Sequence, residues 1–484
     1  MGSSFILDFG TLNISTIAPM MTLCFFALFL LTIAIVKKEL SNNFYALTSA
    51  MAIILSMGLI FGAKELRSGF GGLIILDNIA LIAIVLILLF ALFFLFMSFS
   101  RLKFHEYSLH EYFVLYLFML AAYCFMVSSN NIILIFISLE TASLALYTLI
   151  ALHNKKRAIE AAIKYFVMGA VSAGFFAFGA ALLYYASGSV DIGDIIFVSS
   201  RLGEGEAKIV LLGSIFILLS VGFKISVVPF HTWLADVYEG SSEVMAGFIS
   251  IVPKIAAFVI AIRLFEPFLL GNFYEFKLLL LVVSLITMTF GNLAALRQVD
   301  IKRMLAFSSI AHAGYILSVL VIATDVAIAS IFVYWVMFGF INVGAFAILW
   351  IYADKQNNRF DHPLTKYCGM VKNAPLLALS LAIFMFGLTG IPPFGVFWGK
   401  MFLLNTLISS GFNLVALVVV INSAIGAYYY LRVIVFVFLK EPKTEPFIER
   451  NGTNALYTIV GLMTAFAILS VFVMKYVTWL FMGV

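Results

Sequence analysis

Apolar stretches follow one another along almost the whole chain, each about twenty residues long and separated by short polar connections. Counting runs able to cross about 30 Å of hydrocarbon gives fourteen spans: 16–36, 43–62, 73–97, 112–128, 131–152, 162–186, 208–230, 244–265, 278–296, 304–323, 326–352, 375–409, 412–439 and 456–481. The runs lack the alternation of a β-barrel, so only helices can satisfy their backbone groups in lipid. The pattern predicts an all-α polytopic membrane bundle of about 14 transmembrane helices.

Two spans depart from regular helix. In "VGFKISVVPFHTWLADVYEG" the uncharged run Ile209–Phe223 leads to Lys224, and Pro229 and His231 follow. In "GLTGIPPFGVFWGKMFLL" the uncharged run Asn373–Gly399 passes through Gly387, Gly390, Pro392, Pro393 and Gly395 before reaching Lys400. Proline removes a backbone donor and glycine loosens the helix, so both spans are expected to be broken and to line a polar cavity. They are the seventh and twelfth, and both carry Pro-Phe at the break, at Pro229–Phe230 and Pro393–Phe394. Matching elements five spans apart must run in opposite directions, which predicts an inverted five-helix repeat with two broken helices. The expected divisions are 1–111 (three N-terminal helices), 112–265 (first repeat, spans four to eight), 266–440 (second, inverted repeat, spans nine to thirteen) and 441–484 (the last helix). Lys224 precedes its Pro-Phe and Lys400 follows, so the architecture is duplicated but the lysine site is not.

Composition agrees: 64% of residues are hydrophobic, 11% are charged and mean hydropathy is +1.12. The net charge of +5 comes from basic residues scattered through short connections, which reads as a membrane-orientation signal and excludes a nucleic-acid face. Lys and Arg gather on the connections that follow odd-numbered spans, including Lys37, Lys38, Arg101, Lys103, Lys155, Lys156, Arg157, Arg297, Lys302, Arg303, Lys355, Arg359, Lys443 and Arg450. The opposite side holds fewer, among them Lys64, Arg67, Arg201, Arg263 and Lys475, so both termini are expected on the non-cytoplasmic side. The first lysine is Lys37, so the opening run reads as a retained span, not a cleaved signal peptide.

Ionisable residues inside spans are costly and therefore candidates for function. They are Glu140 in "NIILIFISLETASLALYTLIAL", Lys224, Lys254 beside Pro253, Lys400, and, nearer the membrane surface, Lys164 and Arg432. An opposite charge nearby offsets burial, so a Glu140–Lys224 ion pair is expected, and its opening would release a proton from Lys224. That makes a proton relay with an electrostatic switch. His231 and His312 are each either relay groups or hydrogen-bonded structural residues. Lys164 is either a relay group or an interfacial lysine, Arg432 reads as an anchor, and Asp77 as a helix cap or an outward-facing residue. Gly169, Ala170, Gly174 and Gly179 of the sixth span read as small residues for close helix packing.

Other chemistries find no support. Cys24, Cys124 and Cys368 form no CxxC, the histidines form no HExxH or HxxxH, and "GVFWGKM" lacks the spacing and the Ser or Thr of a phosphate loop. No metal, nucleotide or redox site is expected within this chain.

The segments "GFKISVVPFHTWLADVYEGSSEV", "RQVDIKRMLAFSSIAHAGYIL" and "GLTGIPPFGVFWGK", with the Glu140 segment, resemble signature regions of the antiporter-like proton-translocating subunits of respiratory complex I and of multi-subunit Na+/H+ antiporters. The resemblance spans roughly residues 112–440. It implies that Glu140, Lys224, Lys254 and Lys400 fill the family's proton-translocating positions, with His231, His312 and Lys164 as further candidates. It implies a translocase subunit of a bacterial NADH:quinone oxidoreductase in the inner membrane, partnered by other membrane-arm subunits. NADH, flavin, iron–sulfur clusters and quinone would belong to those partners. A subunit of a Na+/H+ antiporter and a membrane scaffold remain the alternatives.

Overall fold

The computed structural model describes residues 12–37, 40–61, 67–98, 107, 109–199, 204–270, 273–353, 361–441 and 452–482. The orientation charges Lys38, Lys64, Arg101, Lys103, Arg201, Lys355, Arg359, Lys443 and Arg450 lie outside the described residues, as does the side chain of Lys475. Among the described residues, thirteen helices are long and apolar enough to cross a membrane. The fourteenth crossing is made by two shorter apolar helices, Pro375–Thr389 and Val396–Ser409, which together form the broken twelfth span. The seventh is broken as well, into Glu204–Ile225 and Thr232–Gly240.

Around these two lie the spans that bear on the site. They are the fifth (Ile132–Ala151), sixth (Lys156–Ser187), eighth (Glu243–Leu270), ninth (Tyr274–Leu296), tenth (Ile301–Leu320), eleventh (Asp325–Ile351) and thirteenth (Asn413–Leu439). The eighth is buried along most of its length and the tenth and eleventh nearly so, whereas the first (Ala18–Val36), the sixth and the last (Asn454–Met482) present most of their surface outward. Uniformly apolar helices carry no preferred face, so tertiary position alone decides which ones are enclosed.

Polar residues at the ends set the helix boundaries. Asn131 accepts from the backbone N–H of Ile133 and Leu134 at 3.0 and 3.1 Å, and Asp300 accepts from Arg303 at 3.0 Å, capping the fifth and tenth spans. Asp77 caps the third span, Asn78–Met97, by accepting from Ala80 at 2.8 Å, and also meets Arg263 at 2.7 Å. The expected start of that span at 73 is therefore corrected. Residues Arg67–Gly69 and Ile74–Leu76 pair as a short antiparallel hairpin, turned by Gly71 and Gly72 at φ of 66° and 94°. The apolar "LIIL" belongs to this hairpin. The sixth span starts earlier than expected, at Lys156, so Lys164 lies two turns inside it.

The ninth and tenth spans make the closest approach. A Cβ on Gly314 would lie 2.5 Å from the backbone nitrogen of Met288, and one on Gly291 would lie 2.6 Å from that of Ala311. Backbones this near exclude any side chain, the packing mode expected where lipid gives no hydrophobic drive to association. In the sixth span a Cβ on Gly179 would lie 2.7 Å from the Gly213 carbonyl oxygen, and Gly169 makes room for Tyr147. Gly174 and Ala170 face outward, so close packing uses two of the four small residues expected to provide it.

Gly314→Val is expected to force the ninth and tenth spans apart, at a cost of about 1–3 kcal/mol typical of overpacking. Gly174→Ala, which meets open space, should be neutral or mildly stabilising. Thermal unfolding of the detergent-solubilised protein compares the two. Equal melting temperatures would contradict the packing described.

Candidate functional site

Lys224 is the penultimate residue of the first half of the seventh span. The helix ends as Ser226 turns to φ 64°, and the freed groups find partners: Val227 N–H donates to Gly222 O at 2.9 Å, Val228 N–H to Thr287 Oγ1 at 3.0 Å, and Trp233 Nε1 to Phe223 O at 3.1 Å. The buried ammonium of Lys224 donates to Ser143 Oγ at 2.7 Å and reaches Tyr147 OH at 3.5 Å. Ser143 can accept because its own hydroxyl proton goes to Leu139 O at 2.6 Å.

The expected Glu140–Lys224 ion pair is not made. No ion pair among the described residues joins the two, and Glu140 Oε1 is buried without a hydrogen-bond partner. Glu140, Ser143 and Tyr147 share one face of the fifth span by helical spacing. The ammonium meets that face one turn beyond the carboxylate, at a neutral hydroxyl.

Lys254, buried in the middle of the eighth span, donates to the carbonyl of Ser309 at 3.0 Å and to its hydroxyl at 2.7 Å. One turn further along the tenth span, His312 bonds Tyr334 OH through Nδ1 at 2.6 Å and Tyr430 OH through Nε2 at 3.1 Å, so its ring is held between the eleventh and thirteenth spans. A further i+3 step reaches Tyr315, whose ring lies under the ammonium of Lys400 at 5.3 Å. Ser309, His312 and Tyr315 thus form a row winding about the tenth span, over a rise of about 9 Å, that joins the surroundings of Lys254 to those of Lys400.

Lys400 sits on the second half of the twelfth span and reaches back across the break, donating to Thr389 O at 2.8 Å. Thr389 is the last residue of the first half, where helical carbonyls lack intrahelical partners and the helix dipole is negative. Gly390, at φ 84°, leaves room for the lysine stem: a Cβ there would lie 2.9 Å from Lys400 Cδ.

Two candidates stand apart from this row. His231 packs edge-on against Phe290 at 4.5 Å, and its buried Nδ1 has no hydrogen-bond partner. Lys164 lies in a half-exposed charge cluster, 2.9 Å from both Glu160 and Asp236, where Arg303, Glu239, Arg157 and Asp361 also meet. That cluster draws together connections expected on one side of the membrane. Arg432 caps the ninth span by donating to the carbonyls of Leu296 and Gln298.

Sequence reasoning took Lys302 for a connection charge and passed over Glu243 and His362. All three are buried and joined: His362 Nε2 lies 2.8 Å and Lys302 Nζ 3.5 Å from Glu243 Oε1. Glu243 and Lys302 lie within two recognisable segments, "YEGSSEV" and "DIKRM", whereas nothing in the sequence around His362 marks it.

The chain is similar to known membrane proteins. The profile of the transmembrane family NADH:quinone oxidoreductase/Mrp antiporter matches residues 129–426, which include Glu140, Lys224, Lys254 and Lys400. The NADH-quinone oxidoreductase subunit N of Campylobacter hominis is 48% identical over 479 residues, covering 98% of each chain. That of Sulfurimonas denitrificans is 43% identical, covering 95% of each. Among solved structures, a chain of respiratory complex I from Thermus thermophilus matches with a TM-score of 0.79 at 28% identity, over 94% of this chain and 98% of that one. A chain of the Mrp complex from Dietzia sp. matches with a TM-score of 0.81 over 97% and 96%, and at 17% identity it shows the fold alone.

Because Lys224 leans on Ser143, Ser143→Ala should destabilise the protein by about 1–3 kcal/mol, the range for a buried donor left unsatisfied, while Glu140→Gln should cost less. Melting curves of the two variants give the order. A larger loss for Glu140→Gln would restore the ion pair.

Proposed function

Because the chain belongs to the NADH:quinone oxidoreductase/Mrp antiporter transmembrane family, we propose that it moves protons through the membrane arm of a bacterial NADH:quinone oxidoreductase. The observation that carries the reading is the row Ser309–His312–Tyr315, which connects two buried ammonium groups on different spans. A scaffold has little use for the buried lysines Lys224, Lys254 and Lys400. Each of them, moreover, is bound to an oxygen that is neutral.

In this reading Lys224, Lys254 and His312 are internal carriers and Lys400 is the outlet carrier, with water filling the steps between them. Glu140 acts on Lys224 from one turn away along the fifth span, without contact, so a change in its charge biases how firmly Lys224 holds its proton. His231 and Lys164 are left outside the internal row and have lesser parts. The two repeats, 112–265 and 266–440, each supply one broken helix and one half of the path. Oxidation of NADH and reduction of quinone, with the flavin and iron–sulfur chemistry, fall to partner subunits of the membrane-bound complex. The chain itself contributes protonatable side chains and no redox centre. The basic connections face the cytoplasm and both termini the other side.

Lys254→Ala and Lys400→Ala are each expected to lower quinone-reduction-driven proton pumping by about 100-fold or more, the lower end of the range for loss of a proton-transfer group, in membranes where the complex remains assembled. Quinone reduction should fall with pumping if the two are tightly coupled. Unchanged pumping in both variants would leave the lysines structural and favour the scaffold. Pumping coupled to sodium exchange with no quinone-linked activity would favour the antiporter.

A further inference from the structure

Buried ionisable groups that the row does not use meet where the eighth and tenth spans begin. Glu243 opens the eighth span, Lys302 lies in the first turn of the tenth, and His362 lies in the connection after the eleventh. Their exposures are 0%, 1% and 0%. Asp300 ties the connection down, accepting from the backbone N–H of His362 at 2.5 Å, while Ile301 N–H donates to His362 O at 2.8 Å. Lys302 also donates to Ser241 O.

A closed structural clamp would satisfy its polar atoms. Here Glu243 Oε2 is buried with no partner, although Oε1 faces both His362 and Lys302. A carboxylate oxygen left bare in the interior costs several times more than a paired one, so this atom is a site for a proton or a hydrogen-bond donor such as water. The imidazole bridges two buried groups: Nε2–H donates to Glu243 and Nδ1 accepts from Tyr367 OH at 2.6 Å. Burial and the charges of Lys366 and Lys302 hold His362 below the ordinary histidine value, against the opposing pull of Glu243, so it stands neutral and able to take a proton. The charged or titratable groups facing this pair are Lys302, Lys366, Asp300, Tyr352 and Tyr367.

The cluster is aligned with the internal row. Glu243, Ser250 and Lys254 share one face of the eighth span, about 16 Å from end to end, and Lys302 and Ser309 share one face of the tenth, about 10 Å apart. Between them the buried Tyr238 hydroxyl lies near Ser250 and Ser309. We infer that Glu243 and His362, held by Lys302, form a proton-loading site that passes protons inward along these faces to Lys254. The proton taken up by His362 moves to Glu243, and from the neutral acid it leaves toward Lys254, restoring the carboxylate. While His362 is charged, it competes with Lys302 for the single carboxylate, so loading loosens the clamp and unloading tightens it.

This inference rests on the relay proposed above, and the test separates the two. Glu243→Gln and His362→Gln are introduced singly into the complex in native membranes, with Lys254→Ala as the comparison and assembly checked by native electrophoresis. Both glutamines preserve hydrogen bonding and remove titration. Each variant should lower pumping about tenfold while the complex remains assembled, and His362→Gln should move the alkaline limb of the pH–rate profile toward lower pH, because collection of scarce protons becomes limiting. Glu243→Asp should recover part of the rate. If Lys254→Ala abolishes pumping but both glutamine variants keep the wild-type rate and profile, the loading site is wrong and the relay stands. If the glutamine variants fail to assemble, the cluster is a structural clamp and the inference is overturned. If Lys254→Ala pumps normally, the relay fails first.

Discussion

An ammonium group enclosed among membrane helices must find oxygen atoms, and for Lys224, Lys254 and Lys400 the structure supplies neutral ones. Lys224 has a serine hydroxyl, Lys254 a serine hydroxyl and its backbone carbonyl, and Lys400 a carbonyl at a helix end. A carboxylate would bind each lysine more strongly, but loss of the proton would then strand a buried negative charge, a state costing several kcal/mol. A neutral acceptor leaves no such residue behind. The choice of partner therefore permits each lysine to exist with and without its proton in one fold.

Broken helices follow from the same requirement. A continuous helix uses nearly all its carbonyls internally, whereas a helix that stops mid-membrane presents its last turn, with free acceptors and the negative end of its dipole. Lys224 lies in the last turn of the first half of the seventh span, and Lys400 reaches back to Thr389 at the end of the first half of the twelfth. The sequence offset between the two lysines, one before its Pro-Phe and one after, disappears in space. Both charges occupy the C-terminal end of a first half-helix, so the duplicated element hosts a cation at equivalent ends by different routes.

The spans, the two breaks and the deep lysines were legible because each depends on local composition: runs of apolar residues, proline and glycine, and isolated charges. What depends on rotation about a helix axis was not. Glu140 and Ser143 lie on the same face of the fifth span, and only packing decided that Lys224 meets the hydroxyl and not the carboxylate. Lys302 sits among Arg297, Asp300 and Arg303 in a segment that reads as a solvated connection, yet the eighth span and the connection after the eleventh cover it completely. In the row through Ser309, His312 and Tyr315 only His312 stood out in the sequence, and the row itself was hidden for the opposite reason. Its residues are ordinary on any helix, and they matter because four neighbouring spans bring Lys254, Tyr334, Tyr430 and Lys400 against the tenth.

Such dependence on one helix explains where the fold is least tolerant. The tenth span is held to the ninth by backbone contact at Gly291 and Gly314, and Gly314 falls between His312 and Tyr315 in sequence. Any displacement there would shift both side chains relative to the lysines, whose hydrogen bonds at 2.7–3.0 Å leave little room for movement. Tight glycine packing thus sets the register of the polar row. In a bundle whose other faces are interchangeable apolar surface, that register is the feature the lysine contacts require.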